Sequence, residues 1–197
     1  MGKIICVWGD SIAWGAYDTE AGGWVERLKT YLWNDAHYGS VYNLSIDGDD
    51  TGGVLKRFEQ EASVRKPNTI IFAIGINDLQ YQPRDKTHDT ELTAFEENIQ
   101  KLATKARIYT KKIVFVGLTH VLETKTQPIP WSKSGKCYVN KDIEIYNEAI
   151  QLLCKKEKIV FIRTTDIITK NDLDEDGVHL NSQGHKKLFE EVRMILQ

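Results

Sequence analysis

Five short apolar runs punctuate the chain: Lys3 to Trp8, Val41 to Ser45, Thr69 to Ile74, Ile113 to Leu118 and Ile159 to Ile162. Each is four to six residues long, rich in β-branched and aromatic side chains and bounded by turn formers, which predicts strands, with Lys3 to Trp8 and Thr69 to Ile74 read as buried ones. Between them the apolar positions switch to helical spacing. Trp24, Val25, Leu28, Tyr31 and Leu32 predict a helix over roughly Gly22 to Trp33. A second runs over roughly Gly52 to Val64, capped by Asp50 or Thr51 and stopped ahead of Pro67. A third, over roughly Asp89 to Tyr109, carries Leu92, Phe95, Ile99, Leu102, Ala103 and Ala106 on one face. A fourth, about Lys141 to Lys156, turns Ile143, Tyr146, Ile150, Leu153 and Cys154 inward, and a last one, capped by Asn181 or Ser182, ends near Leu196.

Strands that alternate with helices, and that are apolar on both faces, predict a parallel sheet covered on both sides. The expected fold class is α/β, a three-layer αβα arrangement around a flavodoxin-like, doubly wound five-stranded parallel sheet. Its expected strand order is 2-1-3-4-5, from the right-handed crossover rule and from analogy. A length of 197 residues, with no repeat or linker, predicts one domain, residues 1–197.

Composition narrows the partners. A net charge of -2 with scattered basic residues argues against nucleic acid. No stretch is apolar and long enough to span a bilayer, and Gly9-Asp10 interrupts the only candidate for a signal peptide. Three cysteines, Cys6, Cys137 and Cys154, form neither a disulfide framework nor a zinc pattern, and Cys6 and Cys154 fall on apolar faces. The expectation is a cytoplasmic, reduced protein.

Candidate chemistry collects at strand ends. The first run stops at Gly9-Asp10-Ser11, the second leads into Ile46-Asp47-Gly48, and the third ends at Gly75-Ile76-Asn77-Asp78. In the expected topology these three turns share the carboxyl edge of the sheet, where open α/β folds bind ligands. Asp176-Gly177-Val178-His179, ahead of the final helix, can reach the same edge. Acyl transfer needs a nucleophile, a base, a group that orients the base, and donors for the oxyanion. Ser11, His179 and Asp176 fit the first three roles, and the Ser11 and Gly48 amides with the Asn77 carboxamide fit the last. Glycine at 48 avoids a side chain that could block close approach of the backbone.

These four blocks resemble the SGNH hydrolases, also called GDSL lipases or esterases: Gly9-Asp10-Ser11, Gly48 within Asn43–Gly48, Gly75-Ile76-Asn77-Asp78 and Asp176-Gly177-Val178-His179. They occur in family order and cover almost the whole chain. The resemblance implies a metal-free, cofactor-free Ser-His-Asp esterase acting on a small-molecule ester. Two positions depart from the common pattern. Ser11 is followed by Ile12 where leucine is usual, and His179 by Leu180 where many members have proline. Both bear on the pocket rather than on the catalytic groups.

Other readings compete for the same residues. Asp172, Asp174, Asp176 and Gly177 match the opening of a calcium loop, the basis of a calcium-dependent hydrolase, but its twelfth position is Gln183 and its eighth is His179. A flavodoxin-like ligand-binding module without turnover would need Ser11, Asn77 and His179 to coincide by chance. Phosphoryl or sulfuryl hydrolysis calls for a metal or an arginine clamp, and Arg27, Arg57 and Arg65 fall in helices or at their ends, away from the expected site. Asp10 and Asp78 read as structural, and Asp47, Asp49 and Asp50 as turn and cap residues. His37, His88 and His185 read as surface or helix residues, while His120, just past the fourth strand, could border the site. The polar loop Tyr81–Thr87 and the long irregular segment Thr119–Asn140 are expected to wall the substrate, with Trp131 and Tyr138 as apolar contacts.

Overall fold

The computed structural model describes residues 3–34 and 39–196; His37 lies outside them. In chain order the elements are β1 (Lys3–Gly9), α1 (Ser11–Trp14), α2 (Trp24–Asn34), β2 (Gly39–Asn43), α3 (Thr51–Arg65) and β3 (Thr69–Ala73). A small hairpin of β4 (Tyr81–Gln82) and β5 (Thr87–His88) precedes α4 (Leu92–Ala106), β6 (Ile113–Val116), α5 (Glu123–Thr126), α6 (Asn140–Glu157), β7 (Val160–Ile162) and α7 (Ser182–Leu196). The main sheet is parallel, in the order β2-β1-β3-β6-β7. With the hairpin set aside, this is the expected 2-1-3-4-5.

Alternation along the strands divides the core in two. Cys6, Trp8, Ile70, Phe72 and Phe115 face the layer built by α3, α4 and α6, while Ile5, Val7, Ile71, Val114 and Val116 face α2 and α7. The first layer is aromatic at its centre: the Trp8 and Phe58 rings lie 4.7 Å apart, and Phe72 and Phe115 5.0 Å. Each such ring, fully buried, contributes roughly 1.5–3 kcal/mol relative to exposure. The Trp8 indole keeps its polar atom satisfied by donating to Glu61 Oε2 at 2.7 Å.

Register aligns the strand ends that matter. Gly9 pairs with Ala73 across β1 and β3. Beyond Asn43 the ladder continues through Leu44 N–H to Val7 O and Ile46 N–H to Gly9 O. The chain from Ile46 and the turns after β1 and β3 therefore leave the sheet side by side. Gly9 permits the tight corner between them: a Cβ there would lie 2.5 Å from both Ala13 Cβ and Ala73 O.

Two expected loops are more ordered than their composition suggests. The Tyr81–Thr87 stretch is the β4–β5 hairpin, to which Cys137 adds a third rung through reciprocal backbone hydrogen bonds with Tyr81. The Thr119–Asn140 segment contains α5 and folds back on itself, with Ile129 and Tyr138 buried beneath it. Its start is fixed by the buried Asn147 carboxamide, which bonds both backbone groups of Leu118. Cys6 and Cys154 are buried, where removal from water raises each thiol to about 12.

Candidate active site

β1 delivers Ser11 to the sheet edge as the first residue of α1, a helix of four residues. Asp10 is its N-cap, accepting from the Ile12 amide at 3.0 Å. Burial pushes the Asp10 carboxyl up to about 7, against the opposing pull of the Ile12 amide and of His179. Asp10 and Asp78 are both structural in their contacts, as expected. Asp78 accepts from the amide and hydroxyl of Thr51, at 3.0 and 2.5 Å, and so joins the β3 turn to the start of α3.

The Asp176–His179 loop explains its own spacing. Asp176 Oδ1 accepts from the Val178 amide at 2.8 Å and the His179 amide at 3.0 Å. This local turn swings the imidazole back over the carboxylate, and Oδ2 meets His179 Nδ1 at 2.5 Å. Burial alone would raise the Asp176 carboxyl, but the bonds from the His179 ring and from the two amides outweigh it and hold it below the usual carboxylate range. On the other side of the ring, His179 Nε2 lies 2.7 Å from Ser11 Oγ. Ser11, His179 and Asp176 thus form one unbroken hydrogen-bonded chain, with Ser11 6% and His179 8% exposed.

Ser11 and His179 form part of the wall of an open cleft of about 580 Å3, together with Gly48, Asn77, Trp131 and Tyr138. Gly48 adopts φ +74, and a Cβ there would meet nothing within 4 Å. The residue's achirality therefore serves the left-handed turn, not relief from a clash with neighbouring protein atoms. Asn77 donates one Nδ2 hydrogen to Asp49 O at 2.8 Å, which leaves its second hydrogen for the cleft.

The structure does not bring every expected residue here. His120 lies outside the cleft wall, with its Nε2 2.6 Å from Glu144 Oε1 on α6. The carboxylate draws the half-exposed ring outward. Trp131 is at the cleft, half exposed, with its ring 5.9 Å from that of His179. Tyr138 is at the cleft too, but not as an apolar wall: it is 2% exposed and its hydroxyl is hydrogen-bonded to Asn77 and Gln80. His88 sits on β5 beside Asp142, and His185 is fully buried in α7, accepting from Trp24 N–H and donating to Ala16 O.

Sequence reasoning passed over Trp14, Tyr17 and Gln80, which also line the cleft. Trp14 and Tyr17 are more than half exposed, and the Tyr17 ring lies 5.0 Å from that of His179. Their closeness to Ser11 in sequence was the available signal, as was the three-residue step from Asn77 to Gln80. Two aspartates of the calcium-loop reading, Asp172 and Asp176, point to protein partners. Asp172 caps a short turn through Thr169 and pairs with Lys187 at 2.7 Å, whereas Asp176 is engaged by His179. No three metal-ligating side chains converge among the described residues. No described helix is long and apolar enough to cross a membrane.

A three-layer α/β fold with serine, histidine and aspartate linked at the carboxyl edge of a 2-1-3-4-5 sheet defines the class, an SGNH-hydrolase-like fold. The profile of the GDSL-like lipase/acylhydrolase family matches residues 7–187, and the chain belongs to that family. Over 116 residues, 59% of this chain and 54% of the relative, it is 27% identical to Esterase TesA of Pseudomonas aeruginosa. Solved structures with the same fold include TesA, with a TM-score of 0.76 at 23% identity over 99% of this chain and 98% of that one. They also include Axe2, an acetylxylan esterase from Geobacillus stearothermophilus, with a TM-score of 0.77 at 19% identity over 98% and 93% of the two chains.

Proposed function

We propose that the chain works as a single-domain serine esterase that hydrolyses small carboxylic esters through an acyl-Ser11 intermediate. The observation that carries this reading is the Ser11–His179–Asp176 chain, with donor–acceptor separations of 2.7 and 2.5 Å, opening on the cleft. Ser11 Oγ attacks the ester carbonyl while His179 Nε2 takes its proton. Asp176 stabilises the imidazolium and holds the tautomer that presents a bare Nε2 to the serine. The oxygen that gains negative charge is received by the Ser11 and Gly48 amides and the free Asn77 Nδ2 hydrogen. As the tetrahedral adduct collapses, His179 returns the proton to the leaving alkoxide. A water then gives its proton to His179 and attacks the acyl carbon, releasing the acid and restoring Ser11.

No metal or cofactor enters this scheme. Two features support small esters as the substrates. The cleft wall mixes polar Asp47, Asn77 and Gln80 with aromatic Trp14, Tyr17 and Trp131, which suits a short acyl group and a polar or ring-bearing alcohol. The structural neighbours also carry esterase names, one of them for an acetylated sugar polymer.

The test is hydrolysis of p-nitrophenyl acetate and butyrate in EDTA, with the protein beside its Ser11→Ala variant. Turnover that survives the chelator and vanishes in the variant is the expected result. Turnover lost in EDTA, or retained by Ser11→Ala, overturns the reading. A folded protein that hydrolyses neither ester is then exposed to a fluorophosphonate: covalent labelling of Ser11 supports a narrow substrate preference, and no labelling supports the binding-module alternative.

A further inference from the structure

Asn77 Oδ1 meets two donors, from residues that line the cleft beside it. The Tyr138 hydroxyl donates to it at 3.2 Å and Gln80 Nε2 at 3.1 Å, while the same Gln80 nitrogen also donates to the Tyr138 oxygen at 2.8 Å. On the other side of the carboxamide, Nδ2 donates to Asp49 O at 2.8 Å. Both Asn77 and Gln80 lie in the turn after β3, but Tyr138 comes from sixty-one residues further on. It closes the long 119–140 segment, which lines the cleft with Trp131 and with this tyrosine.

We propose that Tyr138, with Gln80 beside it, is a positioning residue for the reaction: it fixes the Asn77 carboxamide so that the second Nδ2 hydrogen points into the oxyanion hole. This rests on the esterase reading above. An asparagine amide can turn about its last bond, and its oxygen and nitrogen ends differ little in size. Turned over, it would aim a carbonyl oxygen at a developing oxyanion, with loss of a donor and gain of a repulsive dipole. Two donors on Oδ1 and a carbonyl acceptor at Nδ2 allow only the productive orientation.

The phenol is suited to this. It is 2% exposed, so water does not compete for its hydrogen bond, and burial pushes its pKa up, further from neutrality, which keeps the proton in place. Its backbone is fixed on both sides. Tyr138 N–H donates to Thr126 O, its carbonyl accepts from the Thr126 hydroxyl and the Gln127 side-chain Nε2, and neighbouring Cys137 is paired with Tyr81. The long excursion, on this account, exists in part to carry one hydroxyl to the back of the oxyanion hole.

The test is a double-mutant cycle between Tyr138→Phe and Asn77→Ala, with Gln80→Leu as a second probe and Ser11→Ala as the control for the chemistry. Kinetics are measured on p-nitrophenyl acetate, and folding by circular dichroism and thermal midpoint. Tyr138→Phe keeps the ring and is expected to lower kcat about tenfold with KM nearly unchanged, the signature of an interaction made in the transition state. In the Asn77→Ala background the same change should cost less than about twofold, because the group it orients is gone. Gln80→Leu should behave likewise with a smaller loss. Full kcat in folded Tyr138→Phe, or the same loss with and without Asn77, overturns the proposal. Ser11→Ala separates the two levels: an active Ser11→Ala protein sinks the esterase reading itself, whereas an inactive one beside an unaffected Tyr138→Phe sinks only the role of the tyrosine.

Discussion

Arg57 and Asp49 form an ion pair at 2.6 Å behind the loop that carries Gly48. The same guanidinium donates to Leu44 O at 2.7 Å, at the start of that loop, and to Glu61 Oε2 at 2.8 Å. One planar side chain from α3 thus ties both ends of the Leu44–Asp49 turn to the helix that follows it. Asp49 in turn supplies the carbonyl that receives Asn77 Nδ2. Two of the three proposed oxyanion donors are therefore braced by one arginine that does not touch the cleft.

Replacing Arg57 with methionine keeps much of the aliphatic packing and removes every donor. The expected loss of stability is about 2–4 kcal/mol, since Asp49 and Glu61 are left without their cation in a mostly buried setting. Urea denaturation measures it. A fall in kcat on p-nitrophenyl acetate beyond any change in folded fraction is expected alongside.

At Gly48 an alanine has room for its methyl but not the backbone freedom. Holding φ at +74 with a Cβ is expected to cost about 1 kcal/mol. Activity should suffer more than stability, because relaxing the turn moves the amide proposed to receive the oxyanion. Comparing the thermal midpoint with kcat/KM on one preparation reads both.

Asp176→Asn should reduce kcat on p-nitrophenyl acetate less than His179→Ala does, by about a hundredfold. Asparagine keeps an oxygen for the Val178 and His179 amides, so the loop survives. What is lost is the negative charge beside the imidazolium. An Asp176→Asn enzyme as inactive as His179→Ala would show that the ring had lost its orientation altogether.

Asp18 supplies a pH dependence. Burial opposes its ionisation, but the Ser182 hydroxyl, the Gly23 and Ala21 amides and the Arg27 guanidinium bring it down to about 2. A depressed carboxyl stabilises the fold above its ordinary value, near 4, and loses that contribution as pH falls toward 2. Thermal midpoints are expected to drop across this window by the equivalent of about 2 kcal/mol, and the drop should be shallower in Asp18→Asn. The contacts tie the chain after α1 to both α2 and the start of α7.

Trp131 and Tyr17 flank the His179 ring from two different loops. If they hold the alcohol part of the ester, Trp131→Ala should raise KM severalfold for aryl esters and leave kcat little changed, the pattern of uniform binding. Methyl and ethyl acetate serve as comparison substrates, for which the change in KM should be small.

The central strands and the helices between them were legible because burial on two faces writes a continuous apolar run, and burial on one face of a helix writes a 3.6-residue period, whereas the strand order came from the crossover rule and analogy. Boundaries slipped where neither pattern applies. α1 was missed because four residues are too short for a period, and α2 starts at Trp24 and α4 at Leu92, later than expected, once the flanking turns take up the first polar residues. The β4–β5 hairpin was missed because its partners, including Cys137, are polar or distant in sequence.

At the site, Ser11, Gly48, Asn77, Asp176 and His179 could be named from short blocks at strand and loop junctions. The Asp176–His179 spacing is itself a local geometry, a carboxylate that bonds two amides ahead of it. Nothing local could assign Tyr138 its hydroxyl contact or send His120 away to Glu144, because both depend on which helix or loop lies across from them. The sequence by itself determined the sheet and the residues at its carboxyl edge, since strand periodicity and turn chemistry act over a few residues. Only the tertiary structure decided how those residues are oriented, because a carboxamide, a phenol or a guanidinium takes its direction from partners tens of residues away.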